Sequence, residues 1–146
     1  VDRKEFIKTC CLAGLGTTAL SAVLQGCAAS NYYAKTIAAN NVITIGKSEF
    51  LQVKKDKTIL RKYVLVKVDK FNFPICIYNL DQQKYSAILM ECTHNSCELR
   101  PQGNYVVCPC HGSEFSNTGI VQNPPAEKNL QTLHITSDNE NIYLHL

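Results

Sequence analysis

The chain has 146 residues, 45% of them hydrophobic and 18% charged, enough apolar material for one buried core and too little chain for several domains. Fifteen Lys+Arg against twelve Asp+Glu give a net charge of +3 with no dense basic run, which argues against nucleic acid as a partner. Eight cysteines stand against one methionine and no tryptophan. Three of them fall in the first 27 residues and four crowd between positions 92 and 110, whereas a multi-disulfide scaffold scatters its cysteines, so the clustering points to local chemistry.

Residues 1–27 read as an export signal with a possible anchor. Arg3, Lys4 and Lys8 precede a stretch without charge from Thr9 to Ala34, rich in Leu, Ala, Gly and Val up to Gly26, which is the basic-then-apolar layout of such signals. Asp2-Arg3-Lys4-Glu5-Phe6-Ile7-Lys8 resembles the twin-arginine export motif, with Lys4 in place of the second arginine. Leu24-Gln25-Gly26-Cys27 resembles a bacterial lipobox, in which the cysteine is acylated and begins the mature chain; Gln25 departs from the usual residue. Three readings stay open: a lipid anchor at Cys27, an uncleaved signal-anchor helix of 18 to 26 uncharged residues, or a helix of a soluble core. A bilayer needs about 20 residues, and Gly14, Gly16 and Gly26 each cost a core helix about 1 kcal/mol against Ala. Cys10 and Cys11 read as small apolar residues of this stretch.

Residues 28–41 read as a tether, and residues 42–146 as an all-β domain. Val42 to Ile45 makes a first strand ending at Gly46; Glu49 to Val53 makes a second, ending at the turn Lys54-Lys55-Asp56-Lys57. Residues 63–68 alternate with a period of two, the signature of a half-buried strand. Runs at 75–80 and 85–91 flank Asp81-Gln82-Gln83-Lys84, a hairpin loop, and a C-terminal hairpin joins 130–136 to 142–146 through residues 137–141. Short strands at this spacing predict a small antiparallel β-sandwich or barrel. Cys76, inside Pro74-Ile75-Cys76-Ile77-Tyr78, reads as a buried core thiol. His134 and His145 lie on the C-terminal strands at no motif spacing and read as structural or solvated.

Four metal-binding side chains arrive in two short loops, Cys92-Thr93-His94-Asn95-Ser96-Cys97 and Cys108-Pro109-Cys110-His111-Gly112-Ser113, with thirteen residues between His94 and Cys108. One is Cys-x-His and the other Cys-x-x-His, so each loop can aim both donors at one place. The same four ligands suit tetrahedral zinc. Zinc modules usually pair like ligands within a knuckle, however, whereas here each loop supplies one cysteine and one histidine. That mixture suits a binuclear centre in which one metal takes both thiolates and the other both imidazoles.

Cys-Thr-His-x-x-Cys followed by Cys-Pro-Cys-His-Gly-Ser resembles the Rieske [2Fe–2S] domain family, in detail over about residues 87–126, with Pro125-Ala126 and the following Leu130 similar to the family's proline loop. The resemblance implies a cluster-binding subdomain inserted in the β-sandwich and one [2Fe–2S] cluster. Cys92 and Cys108 would hold the inner iron and His94 and His111 the outer one, with Cys97 and Cys110 joined in a loop disulfide. That cysteine pair belongs to the respiratory branch; oxygenase-type ferredoxins lack it. Ser113 keeps the hydroxyl expected to donate to a cluster sulfur. Imidazole in place of two thiolates raises the potential into a range of about −150 to +300 mV. The imidazoles are expected at an exposed tip, coupling electron to proton uptake.

Four positions depart from the family pattern: Phe115 stands for a tyrosine of high-potential members, Asn95 for an apolar shield, Ser96 for a glycine, and Pro124 for the glycine that usually opens the proline loop. These argue against docking in a quinol site. The functional expectation is one-electron transfer in an exported, membrane-tethered protein or small redox subunit on the periplasmic side of a bacterial membrane. Its partner would be a cytochrome or an oxidoreductase subunit. The alternatives are the Rieske subunit of a quinol–cytochrome c oxidoreductase and the small subunit of a periplasmic molybdenum oxidase. An oxygenase needs a second, mononuclear iron site, for which only His134 and His145 are left.

Overall fold

The computed structural model describes residues 31–81 and 83–146; the export-signal, anchor and Cys27 readings lie outside the described residues. Residues Asn31–Leu146 form one compact unit. Its first hairpin joins β1 (Thr36–Ala39) to β2 (Val42–Gly46), so the segment expected to be a tether contributes a strand. The two linking residues, Asn40 and Asn41, have φ of 49° and 64°. A two-residue hairpin loop matching strand twist needs both residues left-handed, and asparagine tolerates that conformation better than most.

The strand expected at residues 49–53 begins two residues late. A 3-10 turn, Lys47–Phe50, comes first and turns Phe50 inward, leaving it 1% exposed. Glu49 has a task of its own: its carboxylate accepts from the Tyr32 hydroxyl and the Lys35 N–H. β3 (Leu51–Lys54) and β4 (Lys57–Leu60) then form a hairpin whose residues are all exposed.

β5 (Tyr63–Val66), β6 (Ile75–Asp81) and β7 (Lys84–Leu89) make the central antiparallel sheet. Their apolar runs are continuous because both faces are covered. Val64, Val66, Ile75 and Ile77 pack toward Ile43, Ile45, Ile142 and Leu144; Leu65, Cys76, Tyr78 and Ile88 pack on the other side with Leu99, Val106 and Phe115. Cys76 is fully buried, as expected of a core thiol, and burial pushes its pKa well up.

The first of these cores is closed by a four-stranded sheet, β1-β2-β13-β12, where β12 is Ile135–Ser137 and β13 is Asn141–His145. β2 and β13 alternate strictly, with Ile43, Ile45, Ile142 and Leu144 inward. Residues 130–134, expected to be strand, instead run along β7: Leu89 donates to the Gln131 carbonyl and Leu133 to that of Ala87. The second core is closed by a small sheet ordered β11-β10-β9-β8. Its strands, β8 (Arg100–Gln102), β9 (Tyr105–Val107), β10 (Glu114–Ser116) and β11 (Val121–Asn123), have three residues each. The fold is thus an antiparallel sandwich carrying an inserted β-subdomain.

Candidate metal centre

Two loops with the same backbone design carry the four candidate ligands. In the first, between β7 and β8, the Cys92 N–H donates to the Cys97 carbonyl at 2.9 Å, and the Cys92 carbonyl accepts from Ser96 at 2.8 Å. In the second, between β9 and β10, the Cys108 N–H donates to the Ser113 carbonyl at 2.8 Å, and the Cys108 carbonyl accepts from Gly112 at 3.0 Å. Each turn closes on a left-handed residue, Ser96 at φ 47° and Gly112 at φ 82°. Both turns therefore present their leading cysteine in the same way.

The donors separate by depth. Cys92 and Cys108 are each 1% exposed, while His94 and His111 are exposed. The two imidazole rings meet edge to face with centroids 4.9 Å apart. Burial pushes the Cys92 thiol up and the Cys108 sulfur beside it adds to this; the backbone N–H groups of His94 and Asn95 aim at the Cys92 sulfur and pull the other way. Those N–H groups suit an anionic sulfur, which a bound metal provides.

Cys97 and Cys110 are joined in a disulfide across 13 residues of sequence, clipping loop to loop. The sulfurs of Cys97, Cys108 and Cys110 lie within 4.8 Å of one another. That trio is no ligand set, since two of its sulfurs are bonded together; it shows that the disulfide lies against the Cys108 thiol.

A third loop, residues 124–130, covers the site. Buried Ser113 accepts the Ala126 N–H on its Oγ at 3.0 Å, which leaves its own hydroxyl proton to donate elsewhere. Thr93 Oγ1 donates to the Lys128 carbonyl at 2.6 Å. The sequence assigns Thr93 no role, although it sits inside the motif, because its partner is a backbone carbonyl 35 positions away. His134, just before β12, and His145, on β13, lie elsewhere; their rings pair at 4.7 Å and His145 Nε2 bonds Thr136 Oγ1.

The donor set fits a binuclear centre with thiolates inside and imidazoles outside. An all-β scaffold holding two buried thiols behind two exposed imidazoles, under a disulfide clip, has the donors of a metal–sulfur protein. Comparison with known proteins gives the family. Residues 49–134 match the Rieske [2Fe-2S] domain, so the chain belongs to the Rieske [2Fe–2S] family and carries one such cluster. The cytochrome b6-f complex iron-sulfur subunit of Synechococcus sp. (strain RCC307) is 36% identical over 55 residues, 36% of this chain and 31% of that protein. Iron-sulfur subunit 1 of the same complex in Nostoc sp. is 40% identical over 55 residues, with the same coverage. The match thus spans under a third of these curated relatives. The crystal structure of the plasma membrane Rieske protein from Synechocystis PCC 6803 superposes with a TM-score of 0.52 at 31% identity, covering 58% of this chain and 87% of that one.

Proposed function

We propose that this Rieske protein is an exported, membrane-tethered one-electron carrier or small redox subunit with no substrate chemistry of its own. In this reading Cys92 and Cys108 hold the inner iron and His94 and His111 the outer one. The cluster supplies a one-electron couple of raised potential. Buried Cys92 and Cys108 keep water from the inner side, Ser113 offers its free proton to a cluster sulfur, and His94 and His111 face the partner with ring nitrogens able to hold protons. The observation that carries this is the sorting of donors by depth, with both thiols buried and both imidazoles exposed and 4.9 Å apart. His94 and His111 would face a cytochrome or an oxidoreductase subunit, and an electron would pass on that side. Among the described residues no helix is long and apolar enough to cross a membrane; the proposed tether is the signal or anchor segment of residues 1–27, by lipid at Cys27 or by an anchor helix.

Purified protein is expected to contain iron without stoichiometric zinc and to give a rhombic EPR signal on reduction; His94→Ala should lose that signal. Stoichiometric zinc in place of iron would overturn the ligand assignment. Mass spectrometry of membrane-extracted protein decides between acylated Cys27 and an intact N-terminal segment.

The second reading is a subunit of a quinol-oxidising complex, favoured by relatives that are subunits of the cytochrome b6-f complex. Polar, exposed Asn95 beside His94 and the lack of a phenol at Phe115 favour the first. Reduction of the cluster by added quinol in native membranes, blocked by a quinol-site inhibitor, would select the second.

A further inference from the structure

Four of the exposed large apolar residues, Leu51 (50%), Val53 (75%), Ile59 (46%) and Leu60 (52%), belong to the β3–β4 hairpin. The pairing Leu51↔Leu60 and Val53↔Thr58 puts Leu51, Val53 and Leu60 on one face. Lys54, Lys55 and Lys57 crowd at the tip, with Asp56 the sole acid there; Lys54 and Lys57 pair on the opposite face, and their long side chains reach around the hairpin's end. An apolar face ending in a cationic tip is costly to leave in water, and lysine beside apolar side chains matches a surface of fixed negative charge.

Two further observations say what that surface is. The chain enters the described domain at the base of this hairpin: the Arg61 guanidinium stacks 3.8 Å from the Tyr32 ring centroid and donates to the Leu51 and Glu49 carbonyls. The uncharged stretch of residues 9–34 leads directly into this point. With β5 and β7 both antiparallel to β6, the hairpin joins the central sheet at the start of β5, the end opposite to that where β7 delivers the cluster loop. A membrane against the hairpin therefore leaves the imidazoles open.

We propose that the β3–β4 hairpin is a second membrane contact, with Leu51, Val53 and Leu60 entering the headgroup region of an anionic phospholipid bilayer and Lys54, Lys55 and Lys57 meeting lipid phosphates. It orients a domain already held by its N-terminal segment, and so rests on the tethered reading. Each lysine near such a surface is worth about fivefold in partitioning, an effect that salt weakens.

The protein has no tryptophan, so Val53→Trp in the full chain gives a single reporter. On phosphatidylcholine–phosphatidylglycerol vesicles its emission should shift to the blue and be quenched by brominated lipid; on phosphatidylcholine alone it should stay water-like. Adding Lys54→Glu, Lys55→Glu and Lys57→Glu should abolish the shift while the chain still floats with the vesicles. Flotation with a water-like reporter on the anionic vesicles overturns the proposal, and so does a blue shift that brominated lipid does not quench, which marks burial against protein. If the chain fails to float on phosphatidylcholine, the tethered reading fails instead; reporter quenching on anionic vesicles, lost on charge reversal, then still decides for the hairpin.

Discussion

Phe115 is fully buried in the core that holds Cys92, Cys108 and Leu99, so a hydroxyl added to its ring enters the core that the proposed sulfur ligands share. Reduction adds one negative charge that thiolate and sulfide atoms share, and a donor aimed at them favours the reduced form. A hydrogen bond to a charged group is worth about 1.5–3 kcal/mol, and 59 mV, about 1.4 kcal/mol, is a tenfold change for a one-electron couple. Such a bond also helps the oxidised cluster, so only part of that energy shows as a difference between the two states, and Phe115→Tyr should raise the midpoint potential by some tens of millivolts. Ser113→Ala should lower it by a similar amount and also free the Ala126 N–H. Protein-film voltammetry reads both; an unmoved potential in Phe115→Tyr means the ring does not face the cluster. A second prediction concerns Ser96 and Gly112, which do the same job in the two loops. A left-handed conformation costs a non-glycine residue about 1–2 kcal/mol, partly offset by the freedom glycine adds to the unfolded chain. Ser96→Gly should stabilise by up to about 1 kcal/mol, and Gly112→Ala should destabilise by about that much through strain alone, since its added Cβ meets nothing within 4 Å. Guanidinium unfolding measures both. The donor positions are legible in the sequence because they are consecutive in short loops, so spacing alone brings them together. The ties from Thr93 to Lys128 and from Ser113 to Ala126 are not, because each joins a side chain to backbone far along the chain.

Among the elements, apolar runs bounded by turn residues appear as strands where expected: β2, β13 and the β6–β7 hairpin lie within a residue or two of their predicted bounds. The misses share a cause. β8 to β11 have three residues each, too few to show a period of two, and they exist because tertiary packing and the loop disulfide hold them. Residues 49–50 and 130–134 carry strand-like apolar patterns yet are shaped by burial of Phe50 and by pairing with the edge of β7. The C-terminal hairpin shows what a turn side chain can add. Asp138 Oδ1 accepts the N–H groups of Glu140 at 2.8 Å and Asn141 at 2.7 Å, and its Oδ2 accepts the Tyr143 hydroxyl. The Tyr143 bond first, then the two N–H groups, pull its pKa down to about 2. A carboxylate held below its unfolded value of about 3.9 stabilises the fold fully above that value and loses the effect as pH falls toward about 2. Asp138→Asn keeps an acceptor and removes the charge. Its thermal midpoint should lie below that of the unaltered protein at neutral pH, and the gap should hold to about pH 5, then narrow toward pH 3. A gap independent of pH would mean that shape, not charge, sets the contribution.

For the whole molecule, the question is how a subdomain of three-residue strands keeps a rigid site. Strands this short form no independent core; the subdomain leans on the central sheet through Val106 and Phe115 packed on Tyr78 and Ile88. Its other supports are the cluster itself, whose proposed ligands come from both loops, and the Cys97–Cys110 disulfide. A cross-link closing a loop of this size removes about 3 kcal/mol worth of freedom from the unfolded chain, and here it also prevents the loops from parting while the rest stays folded. In the unaltered protein, cluster bleaching and loss of β structure should coincide across a guanidinium titration, because the site opens only with the domain. In the Cys97→Ser, Cys110→Ser double variant the visible absorbance should disappear first, at lower denaturant than the far-ultraviolet signal, with overall stability down by about 2–4 kcal/mol. Pre-reducing the unaltered protein should reproduce the split. If the two transitions stay superimposed in the variant, the cluster and the core packing hold the loops without the clip, and the disulfide contributes to the stability of the fold without guarding the site.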